Sequence, residues 1–423
     1  MKFKIYTLGC KVNAYESEMM KEKLLNKGYV ISEIDPDIII INTCSVTNVA
    51  DQKSRKMVRH FKNEHPNAIV VVCGCSTEHK KDEYVKMGID ILLGNSKKSD
   101  IVDLIEDFKK RKEPIMFFEG TRKIPFEDMA INEFTTHTRA FVKIQDGCDN
   151  FCSYCVIPFV RGSIRSKDFN LVLKEVETLV KHGHKEIVLT GIHTGSYGYG
   201  TEHDLTDVIH EISKIDALER IRISSIEITE LDDKFLNELK NNKKICNHLH
   251  IPLQAGSNEI LKLMNRKYDL KKFYGIIERI RSIRPDISIT TDVIVGFPFE
   301  TDELFMKTIK TVKELSFSKI HVFPYSKKAG TRASLMTNQV SDVIKKERVK
   351  VLTEVSNELE IKYASCFIGK SEDVLIETCE DGVSTGCTSN YLKVIINKKL
   401  DRNSIVRCRL DSLKGKEIVG EIV

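Results

Sequence analysis

Short β-branched runs alternate with amphipathic stretches along most of this chain, and that rhythm restricts the fold more than any other feature. A strand that is followed by a helix and then a second strand returns to its sheet in parallel, so repeated βαβ units build parallel sheets. Up to about residue 108 the strand patterns fall at residues 4–7, 37–42, 69–72 and 89–93, with helical patterns over 16–27, 52–63 and 99–110 between them. This predicts an open parallel-sheet α/β domain over residues 1–110. The charged stretch that follows has weak periodicity and contains Pro114, Gly120 and Pro125, which predicts a linker over 111–134. From Thr135 six further strand-like runs recur at 140–144, 186–189, 221–225, 249–253, 287–295 and 320–324. They predict a partial (βα)6 barrel over 135–365, closed by a trailing helix over 341–365, with its chemistry at the carboxyl ends of the strands. Residues 369–423 then turn strand-rich, with turn signals at Asp381-Gly382 and 397–403, the pattern of a small β-barrel.

Composition narrows the function classes. A chain of 423 residues with 41% hydrophobic and 30% charged residues buries more than one core and is not a mostly disordered chain. Its longest apolar runs, 38–41 and 69–73, fall far short of the ~20 residues of a membrane helix. The amino terminus shows no signal-peptide pattern, so a cytoplasmic protein without a membrane partner is expected. Twelve cysteines in a reducing compartment point to metal or cluster ligands rather than disulfides. The net charge of +5 permits a nucleic-acid partner without demanding one.

Two cysteine constellations stand out. Cys148, Cys152 and Cys155 form a CxxxCxxC loop directly after a predicted strand. Three thiolates on one loop can hold three irons of a [4Fe-4S] cluster and leave the fourth open to a substrate or cofactor, whereas a closed electron-transfer cluster takes four cysteines. A zinc loop is the alternative, but structural zinc takes four ligands and no suitably spaced partner pair is present. Cys10, Cys44 and Cys75 each lie one to three residues beyond a predicted parallel strand. Open α/β sheets bind ligands just outside those carboxyl ends, so the three should converge on a second cluster site. Cys73 shares a strand with Cys75 and is expected to pack in the core. Cys246, Cys366, Cys379, Cys387 and Cys408 have no ligand-like spacing and are expected to act as small apolar residues. His248 and His250 alternate on a barrel strand, where a shared site and ordinary hydrogen-bonded histidines are both open. The glycine-bearing strand end Leu189-Thr190-Gly191-Ile192-His193-Thr194-Gly195 suits close backbone approach to a cofactor, and equally a tight turn.

These residues resemble the methylthiotransferases of the radical S-adenosylmethionine (SAM) superfamily. The motifs TLGCKVNAYES from Thr7, NTC from Asn42, GC from Gly74, GCDNFCSYCVIPFVRG from Gly147, HIPLQAGS from His250, MNRKY from Met264, VGFP from Val295 and HVFPYS from His321 occur in the family's order. The resemblance implies that Cys148, Cys152 and Cys155 hold the [4Fe-4S] cluster that binds and reductively cleaves SAM. It implies that Cys10, Cys44 and Cys75 hold an auxiliary [4Fe-4S] cluster presenting the sulfur of the methylthio group. It further implies a SAM pocket including Tyr154, Gly191, Glu227 and Gly296, a TRAM-like RNA-binding barrel at 369–423, and as partners tRNA, an external one-electron reductant and a sulfur source. Hydrogen abstraction from an unactivated aromatic C–H needs a cofactor radical, which the protein orients and shields.

Sibling groups of this family act on isopentenyladenosine in tRNA, on threonylcarbamoyladenosine in tRNA, or on an aspartate of a ribosomal protein. Gly9-Cys10-Lys11-Val12-Asn13 with Tyr15-Glu16-Ser17 is similar to the threonylcarbamoyladenosine group, the others usually reading GCQMN or GCPKN. The expected activity is therefore 2-methylthiolation of threonylcarbamoyladenosine at position 37 of the anticodon loop. The competing readings are a sibling methylthiotransferase and a noncatalytic iron–sulfur RNA-binding protein, and the intact CxxxCxxC loop argues against the latter. Phe299 departs from the family, which commonly has glycine there, and Ala329 and Arg332 replace usual prolines. Residues 369–423 carry nine basic and nine acidic side chains, against 30 and 26 over residues 135–338, so net charge does not single out the terminal barrel as the RNA-contacting unit.

Overall fold

A computed structural model describes every residue except 121–123 and 136. The amino-terminal part is a six-stranded sheet, parallel throughout, in the order Val30–Ile31, Lys2–Thr7, Ile38–Thr43, Ile69–Gly74, Ile91–Leu93, Ile115–Phe117. Helices Lys11–Asn26, Asn48–Glu64 and Ile101–Arg111 connect the strands. The two central strands are buried along their whole length, as expected of a parallel sheet covered on both faces. Alternate residues serve opposite faces: Ile38, Ile40 and Val71 join one apolar cluster, while Ile39, Ile41, Val70 and Val72 join another.

The first helix begins at Lys11, five positions before the helical pattern was expected to start, because the chain turns straight into it after Gly9-Cys10. Two edge strands escape the sequence pattern. Val30–Ile31 is too short to show a period, and Ile115–Phe117 lies in the expected linker yet pairs with Ile91–Leu93. Further along that stretch Met129, Ile131 and Phe134 are buried in the main core. Residues 121–123 of the expected linker lie outside the described residues.

The central part carries six parallel strands in chain order: Ala140–Lys143, Glu186–Thr190, Arg220–Ile223, His248–His250, Ser288–Val295 and Lys319–Pro324. They form two three-stranded arcs joined by a bridge between Ile221 and Ile245. One apolar cluster runs from the first sheet into these arcs. Tyr15 of the first helix reaches across the junction to hydrogen-bond Met129 O at 2.9 Å and Glu175 Oε1 at 2.7 Å. Phe299 adopts φ +69°, the left-handed region in which glycine is free of the Cβ penalty.

A long helix, Asp342–Ser365, leads into a closed five-stranded barrel of Ser371–Glu380, Val383–Thr388, Lys393–Ile396, Ile405–Lys414 and Glu417–Ile422. Asp381 and Gly382, at φ 49° and 79°, make the two-residue hairpin turn between its first two strands, as such turns require. The barrel has its own core and is tied to the central strands by polar contacts. Arg220 donates to Cys387 O and Asp373 O at 3.0 and 2.6 Å, and Arg222 to Ser389 O at 3.3 Å. Among the described residues no helix is long and apolar enough to cross a membrane.

Candidate active site

The CxxxCxxC loop follows the short strand Gln145–Asp146. Gly147 takes φ +73°, and a Cβ there would lie 2.0 Å from Ser163 O, so only glycine lets the loop leave the strand at this angle. Cys148 N donates to Gly162 O at 2.9 Å and Cys155 N to Cys152 O at 3.0 Å. Ser153 ties the loop to Leu263 and Met264 by bonds of 2.8 and 3.0 Å. The thiols are half-buried and meet cationic groups: Arg266 Nη1 donates to Cys152 Sγ at 3.2 Å, and His193 Nδ1 lies 3.8 Å from Cys148 Sγ. Burial pushes the Cys155 thiol up to about 12, with Cys152 adding in the same direction.

Cys10, Cys44 and Cys75 lie just beyond three adjacent strands of the first sheet, Lys2–Thr7, Ile38–Thr43 and Ile69–Gly74. The chain approaches closely here. A Cβ on Gly9, at φ +107°, would meet Cys44 Cβ at 2.8 Å and Sγ at 3.0 Å. Asn13 locks the first two strand ends together, donating to Leu8 O at 2.6 Å and Thr43 O at 3.0 Å. Burial raises the Cys44 thiol to about 12, and Cys75 and Cys10 add to the rise. Burial raises Cys75 as well, against the opposing pull of Arg161. Thiols held this far up become thiolates when a cation takes them. Each group offers three thiols, the donor set that a [4Fe-4S] cluster with one open iron takes. Among the described residues no three His, Cys, Asp or Glu side chains are placed to share one metal ion; a [4Fe-4S] cluster instead takes one thiolate per iron.

Arg161 joins the two halves. It lies six residues beyond Cys155 and is fully buried. Its Nε donates to Cys75 Sγ at 3.1 Å, and its Nη atoms to Asn13 Oδ1 at 2.8 Å, Glu16 Oε1 at 3.0 Å and Asp146 Oδ1 at 3.1 Å. Lys143 bridges the same carboxylates at 2.9 and 2.7 Å, and buried Lys98 also pairs with Glu16. Burial alone would raise the carboxyl of Asp146, yet Lys143, Arg161 and Arg165 hold it well below the usual range. The sequence reading missed Arg161; its signal is an arginine placed a turn after the cysteine loop in a segment otherwise apolar.

Two cavities open between these groups. One of about 400 Å³ is lined by Cys10 and Lys11 on one side and by Gly191, Arg222, His248 and His321 of the central strands on the other. Tyr391 of the terminal barrel contributes to its lining, stacked on His248 with ring centroids 4.8 Å apart. A second, of about 200 Å³, is lined by Val46, Thr47, Tyr154, Cys155, Gln254 and Tyr325 among others, and Asp292 borders both. His248 and His250 both bond Thr290 Oγ1, at 3.0 and 2.9 Å, and both face the larger cavity.

Of the four residues expected in a SAM pocket, Gly191 and Tyr154 border the cavities. Glu227 pairs with Arg266. Gly296 packs beneath Lys345, where a Cβ would meet Cγ at 2.4 Å, and it lines neither cavity. Cys73 lies in the core, as do Cys246, Cys387 and Cys408 by burial, whereas Cys379 is half-buried. Cys366 is exposed, a correction to its expected packing role. It follows the helix Asp342–Ser365, where its thiol donates to Lys362 O at 3.3 Å.

Comparison with known proteins bears on this arrangement. The model of the radical SAM superfamily matches residues 142–312, and that of uncharacterized protein family UPF0004 matches residues 2–94. A threonylcarbamoyladenosine tRNA methylthiotransferase, MtaB, of Bacillus subtilis is 40% identical, covering 92% of this chain and 89% of its own. The protein of the same name from Thermotoga maritima is 36% identical over 98% of both chains. A tRNA-2-methylthio-N(6)-dimethylallyladenosine synthase of Acetivibrio thermocellus is 34% identical, covering 99% of this chain and 90% of its own. Among solved structures, the radical S-adenosylmethionine methyltransferase TsrM of Kitasatospora setae superposes with a TM-score of 0.58 at 12% identity, covering 91% of this chain and 80% of that one. That likeness speaks for the fold alone.

Proposed function

Since this chain belongs to the methylthiotransferases of the radical SAM superfamily, we propose that it adds a methylthio group to C2 of threonylcarbamoyladenosine at position 37 of tRNA. That it is a radical SAM enzyme acting as a tRNA methylthiotransferase follows from its family; the threonylcarbamoyl substrate, the count of two clusters and their ligands are the proposal. The observation that carries it is the pairing of two cysteine triads across one set of cavities, Cys10 bordering one and Cys155 the other, with Asp292 common to both. In this reading Cys148, Cys152 and Cys155 hold the SAM-binding [4Fe-4S] cluster, and Cys10, Cys44 and Cys75 hold the sulfur-presenting one. When bound, these groups supply the electron that cleaves SAM and the sulfur that is transferred.

The chain's own residues do the rest. Arg266 and Arg161 donate to Cys152 and Cys75 and so offset the charge of bound thiolates. The ion network of Arg161, Glu16 and Asp146 sets the two triads at a fixed separation, which proximity effects require. The wall of the larger cavity carries three cationic side chains, Lys11, Arg222 and Lys319, against the single carboxylate of Asp292, a balance that suits a substrate whose adenine carries an anionic substituent.

The test is mass spectrometry of nucleosides from tRNA carrying threonylcarbamoyladenosine, incubated anaerobically with cluster-reconstituted enzyme, SAM and dithionite. The expected outcome is its 2-methylthio derivative. Product found only on tRNA carrying isopentenyladenosine would assign the chain to the sibling group.

A further inference from the structure

We infer that Lys11 is the specificity residue of the larger cavity and binds the carboxylate of the substrate's threonyl substituent. The inference rests on the reading above that the substrate is threonylcarbamoyladenosine. Lys11 directly follows Cys10 in the first turn of helix Lys11–Asn26, is half-buried, and lines the cavity that the carboxyl ends of the first sheet share with the central strands.

What sets Lys11 apart is that every other full charge around the cavity is already engaged. Arg222 Nε donates to Glu186 at 2.6 Å, Lys319 Nζ to Glu360 at 3.0 Å, and the carboxylate of Asp292 meets His250 Nε2 at 3.3 Å. His248 and His321 do not compete for an anion, and His250 already faces the Asp292 carboxylate. Burial lowers His248 and His321, and the positive charge of Lys11 pushes both the same way. Among the described residues Lys11 has neither an ion-pair nor a hydrogen-bond partner, so its ammonium is an uncommitted cation at the cavity wall.

A half-buried cation without a partner is costly unless a ligand supplies the counter-charge. The threonyl group of the proposed substrate carries a carboxylate, which a lysine takes by a charge-assisted bond. An adenosine bearing an apolar dimethylallyl group offers nothing to this ammonium and, on filling the cavity, takes water from it without replacing the contact. A site that expects a polar group rejects the analogue lacking it more strongly than an apolar pocket rejects a poor fit. Lys11 therefore selects by charge at the cavity wall beside Cys10, on the side where the sulfur is expected.

The experiment compares two forms of one tRNA, bearing threonylcarbamoyladenosine as the free acid or as its methyl ester, with wild-type enzyme and with Lys11→Gln and Lys11→Arg. Loss of one charge-assisted contact predicts that wild type favours the acid by roughly 10–100-fold in kcat/KM, mainly through KM. Lys11→Gln should treat acid and ester alike at the level of the ester, and Lys11→Arg should recover most of the preference. Equilibrium binding of the two anticodon stem-loops without SAM should show the same pattern. Equal use of acid and ester by wild type, or an acid preference kept in Lys11→Gln, overturns the inference. Equal use of acid and ester by wild type overturns the inference even where Lys11→Gln fails to load iron, and in that case the preference is assigned by the stem-loop binding comparison between wild type and Lys11→Gln, both without clusters. Absence of methylthio product from wild type on the acid form would instead defeat the substrate reading itself.

Discussion

Arg161→Met offers the sharpest test of how the two halves are held together. The arginine is fully buried and bonds Glu16, Asp146, Asn13 and Cys75 at 2.8–3.1 Å. Methionine keeps much of the stem volume and removes the fork. Breaking a buried ion network costs roughly 3–5 kcal/mol, the upper part of that range arising when a charge is left bare. Here none is. Glu16 keeps Lys98 and Lys143, and Asp146 keeps Lys143 and Arg165, so the loss belongs near ~3 kcal/mol. Glu16→Gln is the contrasting perturbation. It strands Lys98, whose one carboxylate partner among the described residues is Glu16, and leaves Lys143 and Arg161 to share Asp146, placing its cost nearer ~5 kcal/mol. The assay is urea unfolding of the cluster-reconstituted proteins, comparing midpoints, with the double variant closing a cycle whose coupling should exceed ~1 kcal/mol because the two residues touch. Loss of the N–H···S contact to Cys75 should also lower the reduction potential of one cluster and leave the other unmoved. If Arg161→Met proves as stable as wild type, or more harmful than Glu16→Gln, the charge accounting is wrong.

Replacing Cys148, Cys152 and Cys155 together by Ala should halve the bound iron and abolish release of 5′-deoxyadenosine from SAM under dithionite; unchanged cleavage defeats the ligand assignment. The triple replacement of Cys10, Cys44 and Cys75 should also halve the iron, yet retain 5′-deoxyadenosine release while forming no methylthio product. A soluble form of it that still methylthiolates tRNA would show that those thiols only pack. Tyr391→Ala removes a ring stacked on His248 and lying 4.5 Å from the Arg222 guanidinium, for a loss of about 1–2 kcal/mol in thermal or urea unfolding. Asp51 makes stability depend on pH. Burial would raise its carboxyl, but His79 and Lys328 hold it at about 2, below the ordinary 3.8. The folded value is the depressed one, so the contribution is complete above pH ~4 and vanishes as pH falls through about 2. Wild type should exceed Asp51→Asn by about 2 kcal/mol at neutral pH, the gap closing between pH ~4 and ~2; a gap constant over that window contradicts the assignment.

Local pattern alone determined a good part of this protein. The continuous β-branched runs of residues 38–41 and 69–72, the six strand-like runs of the central part and the Asp381-Gly382 turn are short-range consequences of side-chain shape and backbone freedom. They could be read without knowing what packs on what. The Cys148–Cys155 spacing was legible for the same reason, since its three thiols share one loop. Convergence of Cys10, Cys44 and Cys75 could be argued from topology, because parallel strands bring their carboxyl ends to one edge. Edge strands and the expected linker were not legible: Ile115–Phe117 is a strand only because Ile91–Leu93 lies beside it, and Met129, Ile131 and Phe134 are core only because the first helix and the central strands enclose them. Tertiary structure alone decided the rest. Arg161, Glu16 and Asp146 lie far apart in sequence or on different elements, and their charges become a network only when docking removes water from between them. Lys11 reads as one more lysine at a helix start until the central strands close over it and leave its ammonium without a partner.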